Sequence, residues 1–444
     1  MGRLTHNRQL DLWMNGDRVG TWRVTPTGDE LIYDDAWVLA AQGRPLSLSL
    51  PFRPGNLSHT GTAVRDYFDN LLPDSQPIRE RLARRFKTET TGAADLLAEI
   101  GRDCVGSLQI MPEGQAPGHV KQLTARHMSE AAVAHLLRAT VTPSVLDARA
   151  DPMDDFRISI AGAQEKTALL WHDQQWWQPT GPTPTTHILK LPLGMVGNMK
   201  LDLRDSVDNE WLCAQILSAY GLPVARCHPL IFEDQKVLAV ERFDRRWADD
   251  SSWLIRLPQE DMCQATGTPA HAKYEADGGP GIDRILTLLN ASSRRSQDRA
   301  MFFQAQLVFW LLCAPDGHAK NFSIAQQAGG AFSMAPLYDV MSAYPVLGAG
   351  PNKIASQRVK LAMALRCTNP HWRISEIQRR HWVEVGRRNG VISAAGQDAE
   401  ALIQDLVDRT SAVVETVAAA LPAGFSTRLA VSILEGLAAA AKRL

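Results

Sequence analysis

The sequence has no clustered cysteine. Its six cysteines, Cys104, Cys213, Cys227, Cys263, Cys313 and Cys367, are scattered and form no C-x-x-C pair. A disulfide scaffold or a structural zinc site needs clustering. These residues are therefore expected as small buried hydrophobes in a reducing compartment. Long apolar runs are also missing: the longest clean one, 307–314, falls far short of the ~20 residues a membrane span needs. Met1 to Asn15 contains no apolar stretch of the signal-peptide kind. These two absences predict a soluble, cytoplasmic protein without a membrane partner. Neither charge dominates. Lys+Arg number 47 against 48 Asp+Glu, a net charge of -1, so any nucleic-acid contact must be a local patch. The 31 glycines and 25 prolines are an ordinary share, which excludes collagen-like and low-complexity chains. No internal repeat is visible.

What is present is a chain of 444 residues, 45% hydrophobic and 21% charged, a composition that excludes wholesale disorder. At roughly 100–200 residues per domain it predicts two or three units. Residues 1–112 read as a small α+β unit. Asn15-Gly16-Asp17 is a hairpin signal, 45–51 (PLSLSLP) alternates like a half-buried strand, and 62–72 and 78–86 look helical. Residues 113–121 are the best linker. Strands dominate 123–257: a hairpin at 163–178, an apolar strand at 185–192 and a second hairpin at 229–243, with one helix at 206–220. From 258 to 444 the periodicity is helical, at 281–290, 296–312, 376–389, 396–420 and 427–444, with one hairpin at 321–337.

The strongest constellation is Asp316-Gly-His-Ala-Lys-Asn321, then the hairpin, then Tyr338-Asp339. Phosphoryl transfer needs a carboxylate to orient the attacking hydroxyl and oxygen ligands to hold Mg²⁺ against the phosphates. In protein kinases the base Asp and a metal-binding Asn are separated by this spacing, and a second metal Asp follows. His318 and Lys320 lie between and could contact phosphate. Individually, Asp316-Gly317 also reads as a turn, Asn321 as a strand-start cap and Asp339 as a helix N-cap. Upstream, Lys190 is the one charge in its apolar strand, where burial is costly unless it snorkels or pairs; Glu210 could be its partner. The segment 159–166 (SIAGAQEK) has small residues at Ala161, Gly162 and Ala163, which would let backbone N–H groups approach phosphate. Glu241-Arg242-Phe243 sits where a strand gives way to the helical region, as a hinge between two lobes does. The order of loop, lysine strand, helix, hairpin, hinge, helices, D-x4-N, hairpin and Asp is that of a two-lobed kinase.

These motifs resemble the HipA serine/threonine kinase toxins. The resemblance rests on 159–166 (SIAGAQEK), 186–192 (THILKLP), 241–246 (ERFDRR), 256–264 (RLPQEDMCQ), 273–281 (KYEADGGPG) and 316–322 (DGHAKNF). It also rests on 45–51 (PLSLSLP), 67–75 (YFDNLLPDS) and 99–106 (EIGRDCVG), and it runs from about residue 10 to 440. It implies an α+β, two-lobed protein-kinase-like fold of the PI3/4-kinase-like type, with a β-rich N-terminal part and an all-helical C-terminal lobe. The implied domains are an N-terminal subdomain (1–112), a small-lobe region with phosphate loop and lysine strand (123–257), and a helical lobe with the catalytic loop and metal site (258–444).

The resemblance further implies a Mg-ATP-dependent toxin kinase linked to persistence, with ATP and Mg²⁺ as cofactors. Asp316 would be the catalytic base, and Asn321 and Asp339 the metal ligands. Ala161, Gly162, Ala163, Gln164, Glu165, Lys166, Lys190, Glu241, Arg242, Phe243, His318, Ala319, Lys320, Asn321, Tyr338 and Asp339 would line the nucleotide site. Ser159 would be autophosphorylated. The implied partners are a HipB antitoxin, two copies with two of this chain, and operator DNA, which the pair would bind as corepressor. The implied substrate is glutamate–tRNA ligase, whose inactivation halts translation. Arg373, Arg379, Arg380, Arg387 and Arg388 face only Glu376 and Glu384 in one segment; they read as a solvated face or, through Arg387 and Arg388, as a DNA-backbone contact. Two other readings are a catalytically idle corepressor and a small-molecule kinase.

Overall fold

The computed structural model describes residues 7–141, 159, 161–162, 164–197 and 200–444. They form two compact units, each discontinuous in sequence. The first is Met1–Leu191, Leu230–His271 and Ile324–Ala331; the second is Pro192–Pro229, Ala272–Ser323 and Phe332–Leu444.

The first unit opens with the expected hairpin. Asn15 (φ 50°) and Gly16 (φ 96°) adopt the left-handed backbone of a tight hairpin turn and join Arg8–Met14 to Asp17–Thr25. These strands lie inside a five-stranded sheet ordered His59–Thr60, Gly28–Tyr33, Asp17–Thr25, Arg8–Met14, Leu108–Pro112. Helices Thr62–Asp69 and Ala93–Ile100 contribute Val64, Phe68, Leu96, Leu97 and Ile100 to a core with Leu10, Leu12 and Leu31, and Gln76–Phe86 packs Leu82, Ala83 and Phe86 against it. Trp22 stacks on Phe68 with ring centroids 3.8 Å apart.

Residues 45–51 are not a strand. Pro45 and Pro51 bracket the segment and supply no backbone donor. Between them the Tyr33 hydroxyl accepts from the Leu46 N–H and donates to the Leu50 carbonyl. The Ser47 and Ser49 hydroxyls bond the Gln264 carbonyl. The alternation of Leu and Ser therefore marks an inward-facing loop pinned by side chains, not a ladder.

A second antiparallel sheet in this unit runs Gln235–Glu241, His187–Lys190, Lys166–His172, Gln175–Pro179, Ala125–Met128, flanked by the strand that ends at Phe232. Helix Glu130–Val141 supplies Val133, Ala134, Leu136 and Leu137 to a core with Leu169, Leu189, Val237 and Ala239.

The second unit is built on helix Arg295–Leu311. From Asp298 onward nearly every residue of that helix is buried, the polar Asp298, Arg299 and Gln306 included. Around it lie Ser206–Ala219, Ile282–Leu288, Arg379–Arg388, Ala399–Ala419 and Thr427–Ala441, close to the helical periods of the sequence. The C-terminal part is not all-helical, because Lys360–Arg366 pairs with Pro370–Arg373. Its apolar stretch 361–365 is fully buried, and such a run does not distinguish strand from helix by period. A tertiary contact holds it extended: the buried Glu275 carboxylate accepts from the Ala364 N–H (2.7 Å) and from Arg366. No helix among the described residues is long and apolar enough to cross a membrane.

Candidate active site

In the first unit Ser159, Gly162 and Glu165 contact Leu71, Asp74 and Arg81. Ser159 is fully buried. Its hydroxyl donates to the Leu71 carbonyl (2.7 Å) and its N–H to the Asp103 carbonyl (3.2 Å). The Gly162 carbonyl accepts from the Asp74 N–H (3.1 Å). Gly162 has φ +110°, a backbone conformation that favours glycine, and a Cβ there would stand 2.6 Å from the mobile Lys166 ammonium. Gln164 donates to the Leu191 carbonyl (2.5 Å), and Glu165 pairs with Arg81. Ala161 is half-buried. Ala163, Ile158 and Ile160 lie outside the described residues.

Lys166 begins the strand that follows and stands directly opposite Lys190 in an antiparallel pair. Opposed residues share a sheet face. Lys190 is also 6% exposed. The Lys166 ammonium lies beside the Gly162 turn.

The expected hinge is divided in its roles. Glu241 is exposed and pairs in register with His187. Phe243 is half-buried. Arg242 is buried, its N–H bonded to the Thr186 carbonyl (2.8 Å). Its guanidinium is held by Asp103, Asp244, the Thr185 hydroxyl and the Cys104 carbonyl. Arg242 is thus a structural anchor. Arg245 and Arg256 complete the cluster on Asp103 (2.9 and 3.3 Å). Burial alone would raise the Asp103 pKa; Arg245, Arg242 and Arg256 together hold it well below the usual carboxylate range. Burial pushes Arg256 down to about 10 against the pull of Asp103.

In the second unit the Asp316–Asn321 segment is a closed loop. Asn321 Nδ2 donates to the Asp316 carbonyl (2.7 Å), and the His318 N–H donates to the same oxygen (2.8 Å). Gly317 packs so tightly that a Cβ would lie 2.5 Å from the Phe309 ring. The Ala319 N–H bonds the Lys273 carbonyl (3.2 Å). The Tyr338 hydroxyl donates to the Lys320 carbonyl (2.8 Å) and lies 2.5 Å from Ser323 Oγ. His318 and Lys320 are buried. Asp339 has φ 61°, a left-handed conformation that is uncommon outside glycine and clusters at functional sites. No helix begins at Asp339, so it is not a helix cap, and Asn321 closes the loop rather than capping a strand.

The arginine segment is largely paired. Arg388 bonds Asp283 (2.6 Å), Arg373 bonds Glu376 (2.8 Å) and Arg379 lies 3.8 Å from Glu400. Arg387 is exposed and makes no ion pair among the described residues. Three contributors carried no role in the sequence reading: Arg81, Asp103 and Tyr274, whose hydroxyl donates to Asp316 Oδ1. Asp103 and Tyr274 sit inside family motifs and Arg81 outside them, and no local pattern reveals any of their long-range partners.

Two family models match the chain: one described as HipA N-terminal domain over residues 10–111, and one described as HipA-like C-terminal domain over residues 158–414. A Sinorhizobium fredii protein named "Putative kinase Y4mE" is 33% identical over 364 residues, covering 80% of this chain and 82% of that protein. The "Serine/threonine-protein kinase toxin HipA" of Shewanella oneidensis is 26% identical over 317 residues, covering 68% and 67%. A chain in the solved complex of Shewanella oneidensis HipA, HipB and operator DNA matches with a TM-score of 0.77 at 21% identity, covering 98% of this chain and 97% of that one. This likeness shows the fold.

Proposed function

This chain belongs to the HipA family of toxin kinases, and from that membership we propose that it transfers the γ-phosphoryl group of Mg-ATP to a serine or threonine of a protein. The observation that carries the reading is the closed Asp316–Asn321 loop. Because Asn321 spends its Nδ2 on the Asp316 carbonyl, its amide oxygen is the end left for a cation. No donor among the described residues reaches that oxygen. Asn321 and Asp339 offer the hard oxygen ligands that suit Mg²⁺; the metal, when bound, neutralises charge developing on the phosphates. Asp316 accepts the proton of the attacking hydroxyl. Lys166, Lys190 and the 161–166 backbone bind phosphate oxygens, with Gly162 giving the backbone its close approach.

The finer reading is a PI3/4-kinase-like lobe arrangement and a toxin that silences glutamate–tRNA ligase. Its partner would be a HipB-type antitoxin in a two-plus-two assembly on operator DNA, in the cytoplasm, with Arg387 as a candidate backbone contact. Ser159 would be the self-modified residue. A phosphate adds about -1.5 to -2 charge and has no place where the Ser159 hydroxyl now meets the Leu71 carbonyl, so modification would expel the loop. The test is phosphate transfer from labelled ATP with Mg²⁺ into lysate proteins, resolved by mass spectrometry. Asp316→Ala should lower the rate by about 10²–10⁴-fold, the usual contribution of a positioned base, and Asp339→Ala by at least as much. A purified Asp316→Ala protein with the wild-type rate would remove Asp316 from the role of base.

A further inference from the structure

The Asp316 side chain is 48% exposed, yet one of its oxygens is fixed. The Tyr274 hydroxyl donates to Oδ1, and His318 Nε2 lies 3.9 Å from the same atom. No hydrogen bond from the described residues reaches Oδ2. Tyr274 is itself held on three sides. Its ring meets His318 edge-on at 4.9 Å. Its carbonyl accepts from the Gly279 N–H (3.0 Å), while the preceding Lys273 carbonyl accepts from Ala319 of the Asp316 loop. The next residue, Glu275, is the buried carboxylate that grips Ala364 and Arg366, and Gly281 packs directly on it.

We infer that Tyr274 is a positioning residue for the Asp316 carboxylate. An exposed aspartate rotates freely about its two side-chain torsions and spends much of its time facing away from an incoming hydroxyl. A phenol locked to the core through Glu275 removes that freedom: it holds Oδ1 and leaves Oδ2 to accept the proton of the nucleophile. Packing alone does not call for the hydroxyl, since phenylalanine would fill the same space against His318. The inference rests on the phosphoryl-transfer reading above.

Tyr274→Phe keeps the ring and removes only the donor. Misplacing a reacting group by about 1 Å can cost about a hundredfold, so kcat should fall by about ten- to a hundredfold with the KM for ATP unchanged. In an Asp316→Asn background the same change should leave the residual rate where it was. A crystal structure of Tyr274→Phe should show the Asp316 carboxylate turned from its wild-type orientation. A wild-type kcat, a loss expressed in the KM for ATP, a full loss persisting in the Asp316→Asn background, or an unchanged carboxylate would each overturn the inference. If the wild-type protein transfers no phosphate, the kinase reading is what fails, and the orientation of Asp316 in Tyr274→Phe still decides the role of Tyr274.

Discussion

Replacing Glu260 by glutamine should change how the stability of this protein depends on pH. Glu260 is fully buried in the first unit. Its Oε1 accepts from the Leu48 N–H (2.9 Å) and from Gln326 Nε2 (2.7 Å), while among the described residues no hydrogen bond within normal geometry reaches Oε2. Burial raises its pKa from the ordinary 4.5 to about 7, against the lowering by Ser47, Leu48 and Gln326 and with a small push from Asp261. An acid with a raised folded-state pKa keeps a proton that the unfolded chain has released. Its contribution is therefore largest in acid and is lost as pH rises from about 4.5 to about 7. At about 1.36 kcal/mol per pH unit, the full loss is about 3 kcal/mol. About 2–3 kcal/mol of it falls between pH 5 and pH 8, because the unfolded carboxyl is already mostly ionised at pH 5. Glu260→Gln preserves the acceptor and cannot ionise. Urea denaturation of both proteins at pH 5 and pH 8 should show the variant gaining about that amount relative to wild type at the higher pH. An identical difference between the two proteins at both pH values would refute the reasoning.

The Asp103 cluster should respond with the opposite sign. Its depressed carboxyl contributes stability above the ordinary aspartate pKa and loses it as pH falls toward the lower folded value, so Asp103→Asn should cost about 3–5 kcal/mol at neutral pH and flatten the acid limb of a denaturation series. Arg81→Ala should cost about 1–2 kcal/mol of stability, since its ion pair with Glu165 is only about a quarter exposed, and raise the KM for ATP by freeing Glu165 and the loop it belongs to. Incubation with Mg-ATP should add one phosphate to the intact mass of wild type and none to Ser159→Ala, and the phosphorylated form should bind ATP more weakly; an unmodified Ser159 would remove that switch.

Much of the site was legible because its signals are local. The Asp316-to-Asn321 spacing, the hairpin before Asp339, the small residues at 161–163 and a lysine in an apolar strand each lie within one short stretch of sequence, and the family motifs lie on the same stretches. The hairpin at Asn15-Gly16 and the long helices were legible for the same reason: turn chemistry and periodicity act over a few residues. Residues 45–51 show the limit. Their alternation is real, but it is read by Tyr33 and Gln264 rather than by a neighbouring strand.

The sequence by itself determined the helices, the hairpins and the candidates proposed for phosphoryl chemistry, since those follow from local backbone preference and side-chain type. The tertiary structure alone decided what each candidate is spent on. Arg242 and Asn321 look alike as polar residues within their motifs. Folding commits the first to a buried ion cluster with Asp103 and Asp244, and closes the second onto the Asp316 carbonyl. It alone joined Tyr274 to Asp316 across 42 positions and Arg81 to Glu165 across 84. A hydrogen bond is satisfied by whatever group the chain brings within about 3 Å, and that proximity is a property of the packed core rather than of any stretch of sequence.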